Sequence, residues 1–91
     1  MSHALEELIG TSWMPEDAFF GDMLFIVIDV MPNRYPDPDV LVLDCQTGKT
    51  IKGYHDPDPH PLDSECEVLI CALEKDGEPY GQQYLLRIRD K

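Results

Sequence analysis

The segment CEVLICALEKDGEPYGQQYLLRIR occupies residues 66–89 and carries the strongest local signal for the fold. Residues 66–73 and 80–89 are rich in branched, aromatic and other apolar side chains, which favour extended backbone. Between them lies Asp76-Gly77, a pair that readily adopts the positive φ angles of a tight hairpin turn. The segment therefore predicts two antiparallel strands joined by a short turn.

The last of these strands alternates between two sets of side chains. Successive residues of a strand point to opposite faces of the sheet, so each set lies on one face. One set contains two arginines and the other contains none. We therefore expect a core face of Tyr84, Leu86 and Ile88, and a solvent face of Leu85, Arg87 and Arg89.

Three more strands are expected before this hairpin. Residues 23–30 read MLFIVIDV, and their apolar side chains occupy both faces, as in a strand that is covered on both sides. Residues 40–45 and 49–54 form a second predicted hairpin, joined through Gln46-Thr47-Gly48, where glycine allows a tight turn. Five short strands with turns at this spacing predict a mostly β domain, a small antiparallel barrel or a curved sheet.

Residues 1–22 are expected to cover this β meander of residues 23–91 within a single domain. Residues 2–9 predict a short helix with Ser2 as its N-cap and Gly10 as its stop. Residues 15–21 predict one further helical turn, which Gly21 ends. The N-terminal helix and the segment with Trp13, Phe19 and Phe20 are expected to cover the outer face of residues 23–30. These aromatic residues and Phe25 are expected in the core, and any that stayed exposed would be a hot-spot candidate for protein binding.

One segment resembles a known family. It is Phe20-Gly21-Asp22-Met23-Leu24, which is similar to the Gly-Asp-apolar-apolar entry to the first strand of SH3-like small barrels. The turn with Asp44 and Thr47-Gly48-Lys49 likewise resembles the hairpins of small bacteriophage accessory proteins with that fold. The resemblance implies an SH3-like barrel and a binding or regulatory role. It carries over no site residue, because that broad group shares no catalytic motif.

The charge of the chain restricts its partners. The 91 residues contain 18 carboxylates against 7 lysines and arginines, a formal net charge of −11, and Arg34 is the only base among residues 1–44. Such a chain is poorly suited to bind nucleic acid directly, because its surface repels phosphates. A basic protein surface is the expected partner, unless the charge serves only solubility.

The sequence also predicts a cytoplasmic protein. The longest uninterrupted apolar run covers residues 23–28, whereas a membrane helix needs about 20 residues. Residues 1–7 contain neither a basic segment nor a long apolar one, so no secretory signal is expected. In a reducing compartment, Cys45, Cys66 and Cys71 are expected to be unpaired thiols.

Two metal-site interpretations are weak. His55, His60, Cys66 and Cys71 lack the close paired spacing of structural zinc sites, and the two cysteines would point to opposite faces of one strand. An EF-hand count places Asp56, Asp58, His60, Ser64 and Glu67 at ligand positions. Pro61, however, occupies the position that requires glycine. We expect neither a metal ion nor another cofactor.

Two acidic loops are the strongest candidate interaction site. Tyr35-Pro36-Asp37-Pro38-Asp39 and Tyr54-His55-Asp56-Pro57-Asp58-Pro59 nearly repeat one another, and an up-and-down meander places both loops at one end. Alternating proline favours an extended path that holds successive aspartates about 6 Å apart. We expect one acidic rim that meets a basic partner; its residues are Tyr35, Asp37, Asp39, Tyr54, Asp56 and Asp58. The alternative is a pair of solvated loops that protect sheet edges.

These patterns together favour a small noncatalytic interaction or regulatory module, because no nucleophile with a local base and no phosphate-binding loop is evident. A first alternative is a structural or self-assembling subunit, a homo-oligomer in which the apolar strand and the aromatic segment make the contact. A second is an inhibitor that mimics DNA, and a third is a metal-dependent enzyme.

Overall fold

The computed structural model describes residues 5–31, 37–56 and 67–88. These residues form a mostly β domain with two short 3₁₀ helices, Leu5–Leu8 and Ala18–Phe20. The strands are β1 (Ser12–Pro15), β2 (Phe25–Val30), β3 (Val40–Asp44), β4 (Thr50–Asp56), β5 (Val68–Lys75) and β6 (Glu78–Arg87). None of the helices among these residues is long and apolar enough to cross a bilayer.

The six strands follow one another around a closed antiparallel barrel. Each strand pairs with its neighbours in the chain, and β1 closes the barrel by pairing with both β2 and β6. The mostly β fold and the small antiparallel barrel are thus confirmed. The expected count of five strands was one short, because β1 has only four residues, ends in proline and shows no readable alternation.

The placement of β1 also corrects the role expected for residues 1–22. Trp13 lies on β1 and is fully buried inside the barrel, where it joins Phe20 and Phe25 in one apolar cluster. These aromatic side chains therefore fill the interior and do not cover an outer face of β2. Leu8 of the first 3₁₀ helix packs on the same cluster, whereas Ile9 is exposed.

The faces expected for the last strand were wrong. Leu85 is fully buried opposite Leu69 of β5, whereas Tyr84 is 42% exposed and Ile88 is also exposed. Arg87 shares the inward side with Leu85 but lies at the end of the barrel, where its guanidinium pairs with Glu67. An inward arginine is therefore stabilised by a carboxylate, and the apolar residues of the other face remain on the surface.

Strand β2 differs from expectation in a similar way. Its pairing with β3 shifts register between Val27 and Asp29, because Ile28 forms a β-bulge. A bulge inserts one extra residue, so Ile28 and Asp29 both face outward while Phe25 and Val27 stay buried. Ile28 is 40% exposed, and β2 is not covered on both faces.

The predicted turns are confirmed. Asp76 and Gly77 both have positive φ, 55° and 82°, and join β5 to β6 in a two-residue hairpin. The turn before Gly21 is the second 3₁₀ helix, in which the Asp17 carboxylate accepts a hydrogen bond from the Phe19 amide. The turn after β3 is held by the Asp44 carboxylate, which accepts from the Gln46 amide.

One close contact controls the spacing of β4 and β5. Gly53 pairs with Cys71, and a Cβ atom at Gly53 would lie 2.4 Å from the Cys71 Sγ and 3.0 Å from the Ile70 carbonyl oxygen. The thiol thus occupies the space that any other residue at position 53 would need. This pair is the last pair of the β4–β5 ladder towards the hairpin turns.

We predict that Gly53→Ala destabilises the barrel by about 1–3 kcal/mol, because the added methyl overpacks a filled interior. Urea unfolding measures the change in free energy. The double variant Gly53→Ala/Cys71→Ala serves as the control, since it removes the atom that the methyl meets. Its loss should be smaller than the sum of the two single losses, and strict additivity would contradict the proposed contact.

Candidate functional site

A groove opens where β4 and β5 separate. The two strands are paired from Gly53–Cys71 to Asp56–Val68, but the ladder does not continue through Thr50–Lys52 and Ala72–Lys75. The space between these segments has a volume of about 800 Å³. Its size lies within the range of ligand pockets, about 300–1,000 Å³.

The floor of the groove is apolar. Phe20, Met23 and Ile51 line it, and all three belong to the barrel core or pack against it. The walls come from the hairpin turns and the separated strands: Asp44, Gln46, Thr47, Lys49, Thr50 and Lys52 on one side, and Ala72, Glu74, Lys75, Asp76 and Gly77 on the other. The groove thus has an apolar floor and mainly polar walls.

Aromatic side chains extend one margin of the groove. The rings of Phe19, Phe20 and Tyr80 contact one another edge to face, with centroids 5.0–5.7 Å apart. The Lys75 ammonium lies 4.2 Å from the centre of the Phe19 ring and donates a hydrogen bond to the Phe19 carbonyl oxygen. Phe19 is nevertheless 48% exposed and Tyr80 is 42% exposed. We call Phe19, Phe20 and Tyr80 the aromatic rim.

The groove differs in charge from the rest of the chain. Lys49, Lys52 and Lys75 line it, and they are three of the four lysines in the sequence. Three acidic residues also line it, so charges balance here within a chain of net charge −11. The β4 side carries two lysines and one carboxylate, and the β5 side carries one lysine and two carboxylates; they are Asp44, Lys49 and Lys52, and Glu74, Lys75 and Asp76.

The opposite end of the barrel holds a charged cluster, which we define as Asp39, His55, Glu67 and Arg87. Asp39 is only 7% exposed, and its carboxylate accepts a hydrogen bond from the His55 amide at 2.8 Å. The His55 ring lies 3.2 Å from one Glu67 oxygen, and Arg87 donates to the other at 2.9 Å. The cluster continues inward through the edge contact of His55 with Trp13.

The surroundings move the two carboxyl groups of this cluster in opposite directions. Burial raises the pKa of Asp39, and the hydrogen bond from the His55 amide only partly opposes it. Burial acts in the same sense on Glu67, but hydrogen bonds from Arg87 and His55 outweigh it and lower the pKa. Glu67 is therefore the charged partner that holds β5 to β4 and β6 at this end.

The two described cysteines have different environments. Cys71 is buried, and burial, with a smaller effect of the Asp39 carboxylate, raises the pKa of its thiol to about 12. Such a thiol stays protonated and reacts poorly as a nucleophile. Cys45 is an exposed free thiol at the turn after β3. Cys66 lies outside the described residues.

Of the predicted acidic rim, the structure describes Asp37, Asp39, Tyr54 and Asp56. Asp37 is exposed, but Asp39 is buried and its carboxylate is bonded to the β4 backbone, so Asp39 cannot meet a partner directly. Asp56 and Tyr54 are half-buried on β4. Asp58 and Tyr35 lie outside the described residues. Asp39 and His55, one residue from each predicted loop, meet in the interior of the barrel through the hydrogen bond from the His55 amide.

The predicted metal-ligand sets fall largely on residues that the structure does not describe, including His60, Ser64 and Cys66. Of the zinc set, His55 and Cys71 are described, and His55 contacts Glu67. Across residues 5–31, 37–56 and 67–88, no group of three or more His, Cys, Asp or Glu side chains is placed to hold a metal ion.

Comparison with models of protein families, with curated proteins and with solved structures finds no significant match to this chain. The resemblance to SH3-like accessory proteins of bacteriophages therefore stays a prediction. The barrel shape agrees with it. The groove and the charged cluster are therefore the features from which a function can be inferred.

Neither the groove nor the charged cluster was readily predictable from the sequence. The charged cluster joins His55 of β4 and Arg87 of β6 to Asp39 and Glu67, which directly precede β3 and β5, and the barrel closure brings them together. For the groove, the one usable signal was the concentration of lysines between residues 49 and 75 in an acidic chain. The exposed aromatic residue Phe19 was noted, but its side chain was expected in the core.

We predict that Glu67→Gln lowers the free energy of unfolding at pH 7 by about 1–2 kcal/mol, because hydrogen bonds to a charged, half-buried group are lost. The pKa of Glu67 in the folded protein lies below the ordinary value of 4.5, so its contribution is present above that pH. The contribution disappears as the pH falls through the lower folded value. Urea unfolding between pH 7 and pH 3 measures the difference from wild type.

Asp39 has the opposite shift, but it is present in both proteins and cancels in this difference. The exposed Glu78→Gln is a matched control and should change stability by less than about 0.5 kcal/mol at every pH. A Glu67→Gln difference that does not shrink below pH 4.5 would show that the ion pairs contribute nothing.

Thiol reactivity gives a second prediction. In a Cys66→Ser background, we expect Ellman's reagent to modify Cys45 rapidly in the native protein and Cys71 only after unfolding. The Cys45→Ser/Cys66→Ser variant isolates Cys71 as the control. Rapid modification of that variant under native conditions would contradict the burial of Cys71.

Proposed function

We propose that this protein is a small noncatalytic interaction module of the cytoplasm that binds a segment of another protein in the groove between β4 and β5. The observation that carries the proposal is an open space of about 800 Å³ with an apolar floor, next to strands whose ladder has ended. Apolar pockets with a few polar groups at their edges are the usual sites of ligand binding.

The aromatic rim supports a protein partner. Aromatic anchors contribute much of the binding energy of protein interfaces, particularly where they can be fully desolvated by the partner. Phe19 and Tyr80 are each about half-exposed, although both contact the buried Phe20 ring. Their orientation is thus already fixed, which reduces the entropy that binding would otherwise cost.

The charged cluster supports a structural role better than a chemical one. Glu67 is bonded to His55 and Arg87, the Asp39 carboxylate accepts from the His55 backbone amide, and none of these residues lines the groove. Its thiol neighbour Cys71 is held protonated by burial. We therefore favour the groove end as the interaction surface, and not the opposite end, where the sequence predicted an acidic rim.

Self-association is a second candidate function, favoured by a separate observation. Met14 of β1, Tyr84 of β6 and Ile88, directly after β6, are exposed where these two strands close the barrel. Apolar side chains grouped on one outer face are typical of contacts between proteins. A concentration series by light scattering separates this candidate from binding of a foreign segment.

The proposed function is tested by selecting peptides from a random display library on the purified protein. We expect enriched peptides whose affinity falls about 5-fold or more in Phe19→Ala, which corresponds to the loss of at least about 1 kcal/mol at an aromatic anchor. Their binding should shift the NMR signals of residues 50–52 and 72–75.

Met14→Ala is the matched control, because Met14 is an apolar side chain of similar exposure on β1, across the barrel from β4. It should leave the affinity unchanged. Selected peptides that lose affinity in Met14→Ala but not in Phe19→Ala would place the binding surface on the outer face and overturn the proposal.

A further inference from the structure

We infer that the segment bound in the groove is an extended strand that pairs with the free edge of β4 at Thr50 and Lys52, and that it alternates apolar and acidic side chains. This inference rests on the proposed function and names the conformation and chemistry of the partner. Addition of a strand to a sheet edge is a common mode of peptide recognition.

The backbone of β4 supplies the first argument. The carbonyl oxygen of Lys49 accepts a hydrogen bond from the Asp44 amide of β3, and that of Gly53 accepts one from Asp39, directly before β3. Lys49 and Gly53 therefore turn their backbone groups towards the β3 side. Because neighbouring residues of a strand direct their backbone groups to opposite sides, Thr50 and Lys52 direct theirs towards β5. There the ladder has ended, and within the part of the chain that is described neither residue has a strand partner on that side.

The geometry of the gap supplies the second argument. If the register of β4 and β5 continued, Lys52 would face Ala72 and Thr50 would face Glu74. The strands separate instead, and the groove lies between them. An unpaired edge of about three residues accommodates roughly 10 Å of extended chain, at about 3.3 Å per residue. The groove thus offers unpaired backbone groups beside an apolar floor. An extended strand can use both, because it presents unpaired backbone amides and apolar side chains.

Side-chain chemistry selects among strands. A strand paired to β4 would direct alternate side chains inward, towards Ile51, Met23 and Phe20, which favours apolar residues at those positions. The intervening side chains would lie beside exposed Lys52, with Lys49 at the next turn. Opposite charges on adjacent strands are favourable, so acidic residues fit there. The β5 side is less suitable for an acidic strand, because it carries Glu74 and Asp76, and its one lysine, Lys75, is already bonded to the Phe19 carbonyl oxygen.

Three synthetic nine-residue peptides with blocked ends test the inference directly. The first alternates valine and glutamate, the second alternates valine and lysine, and the third has the composition of the first in two blocks. Each is titrated into the full chain and followed by NMR and calorimetry. We expect the first to bind at least 10-fold more tightly than the other two, with the largest shifts at the amides of Thr50 and Lys52.

N-methylation of the first peptide tests the backbone pairing. Methyl groups on one alternate set of amides should weaken binding at least 10-fold, and those on the other set should not, because only one set faces β4. If methylation of either set weakened binding equally and the peptide still bound in the groove, the strand conformation of the ligand would be overturned. The proposed function would remain intact. Absence of binding by all three peptides would overturn the inference as well, whereas the display selection decides the proposed function.

A pair of charge-matched variants tests the role of Lys52. Lys52→Gln and Ile28→Glu each lower the net charge by one, but Ile28 lies on β2, across the barrel. We expect only Lys52→Gln to weaken the glutamate peptide, by about 3-fold or more at low salt. Equal weakening by both variants would show that the peptide senses net charge and not the groove. Light scattering during the titration identifies a second copy of the chain as the occupant, which would also overturn the inference.

Discussion

The contact between Gly53 and Cys71 divides the barrel into two ends with different properties. Because position 53 has no side chain, the Cys71 thiol fits against the β4 backbone and the two strands come close enough to pair. On one side of this contact the ladder continues to Asp56 and Val68, and His55 brings the charged cluster together. On the other side the strands separate over the apolar floor. The groove and the charged cluster therefore depend on the same local packing.

Features of the fold that depend on neighbouring residues could be predicted from the sequence, whereas features that depend on residues far apart in the chain could not. The Asp76-Gly77 hairpin was predictable because two neighbouring residues determine the turn. The inward face of β6 was not, because Leu85 and Arg87 share it, and Arg87 is stabilised by Glu67 from another strand. Counting apolar residues on each face favoured the wrong face. A local pattern cannot reveal a carboxylate twenty positions away that makes an inward arginine favourable.

Asp39 illustrates the same limit for the candidate site. Its neighbours Pro36, Asp37 and Pro38 are typical of a solvated loop, and the sequence alone favoured an exposed carboxylate. In the fold, its carboxylate replaces a missing strand partner for the His55 amide. Burial raises the pKa of Asp39, so this arrangement opposes ionisation and needs the hydrogen bond as compensation. The described part of this segment, residues 37–39, lies outside the strands, but the Asp39 carboxylate is buried and not exposed.

The unpaired part of β4 has two physical interpretations that are not exclusive. A closed barrel removes free edges, and where an edge remains, lysines commonly prevent pairing between copies of a protein. Lys49 and Lys52 serve that purpose here, since an edge strand of another copy would bring its own lysines opposite them. An acidic strand experiences the reverse, because the same ammonium groups attract it. The lysines that disfavour pairing with a second copy of this chain are thus also those that would select an acidic partner. Disfavouring such pairing does not require an apolar floor, so the floor favours a bound strand.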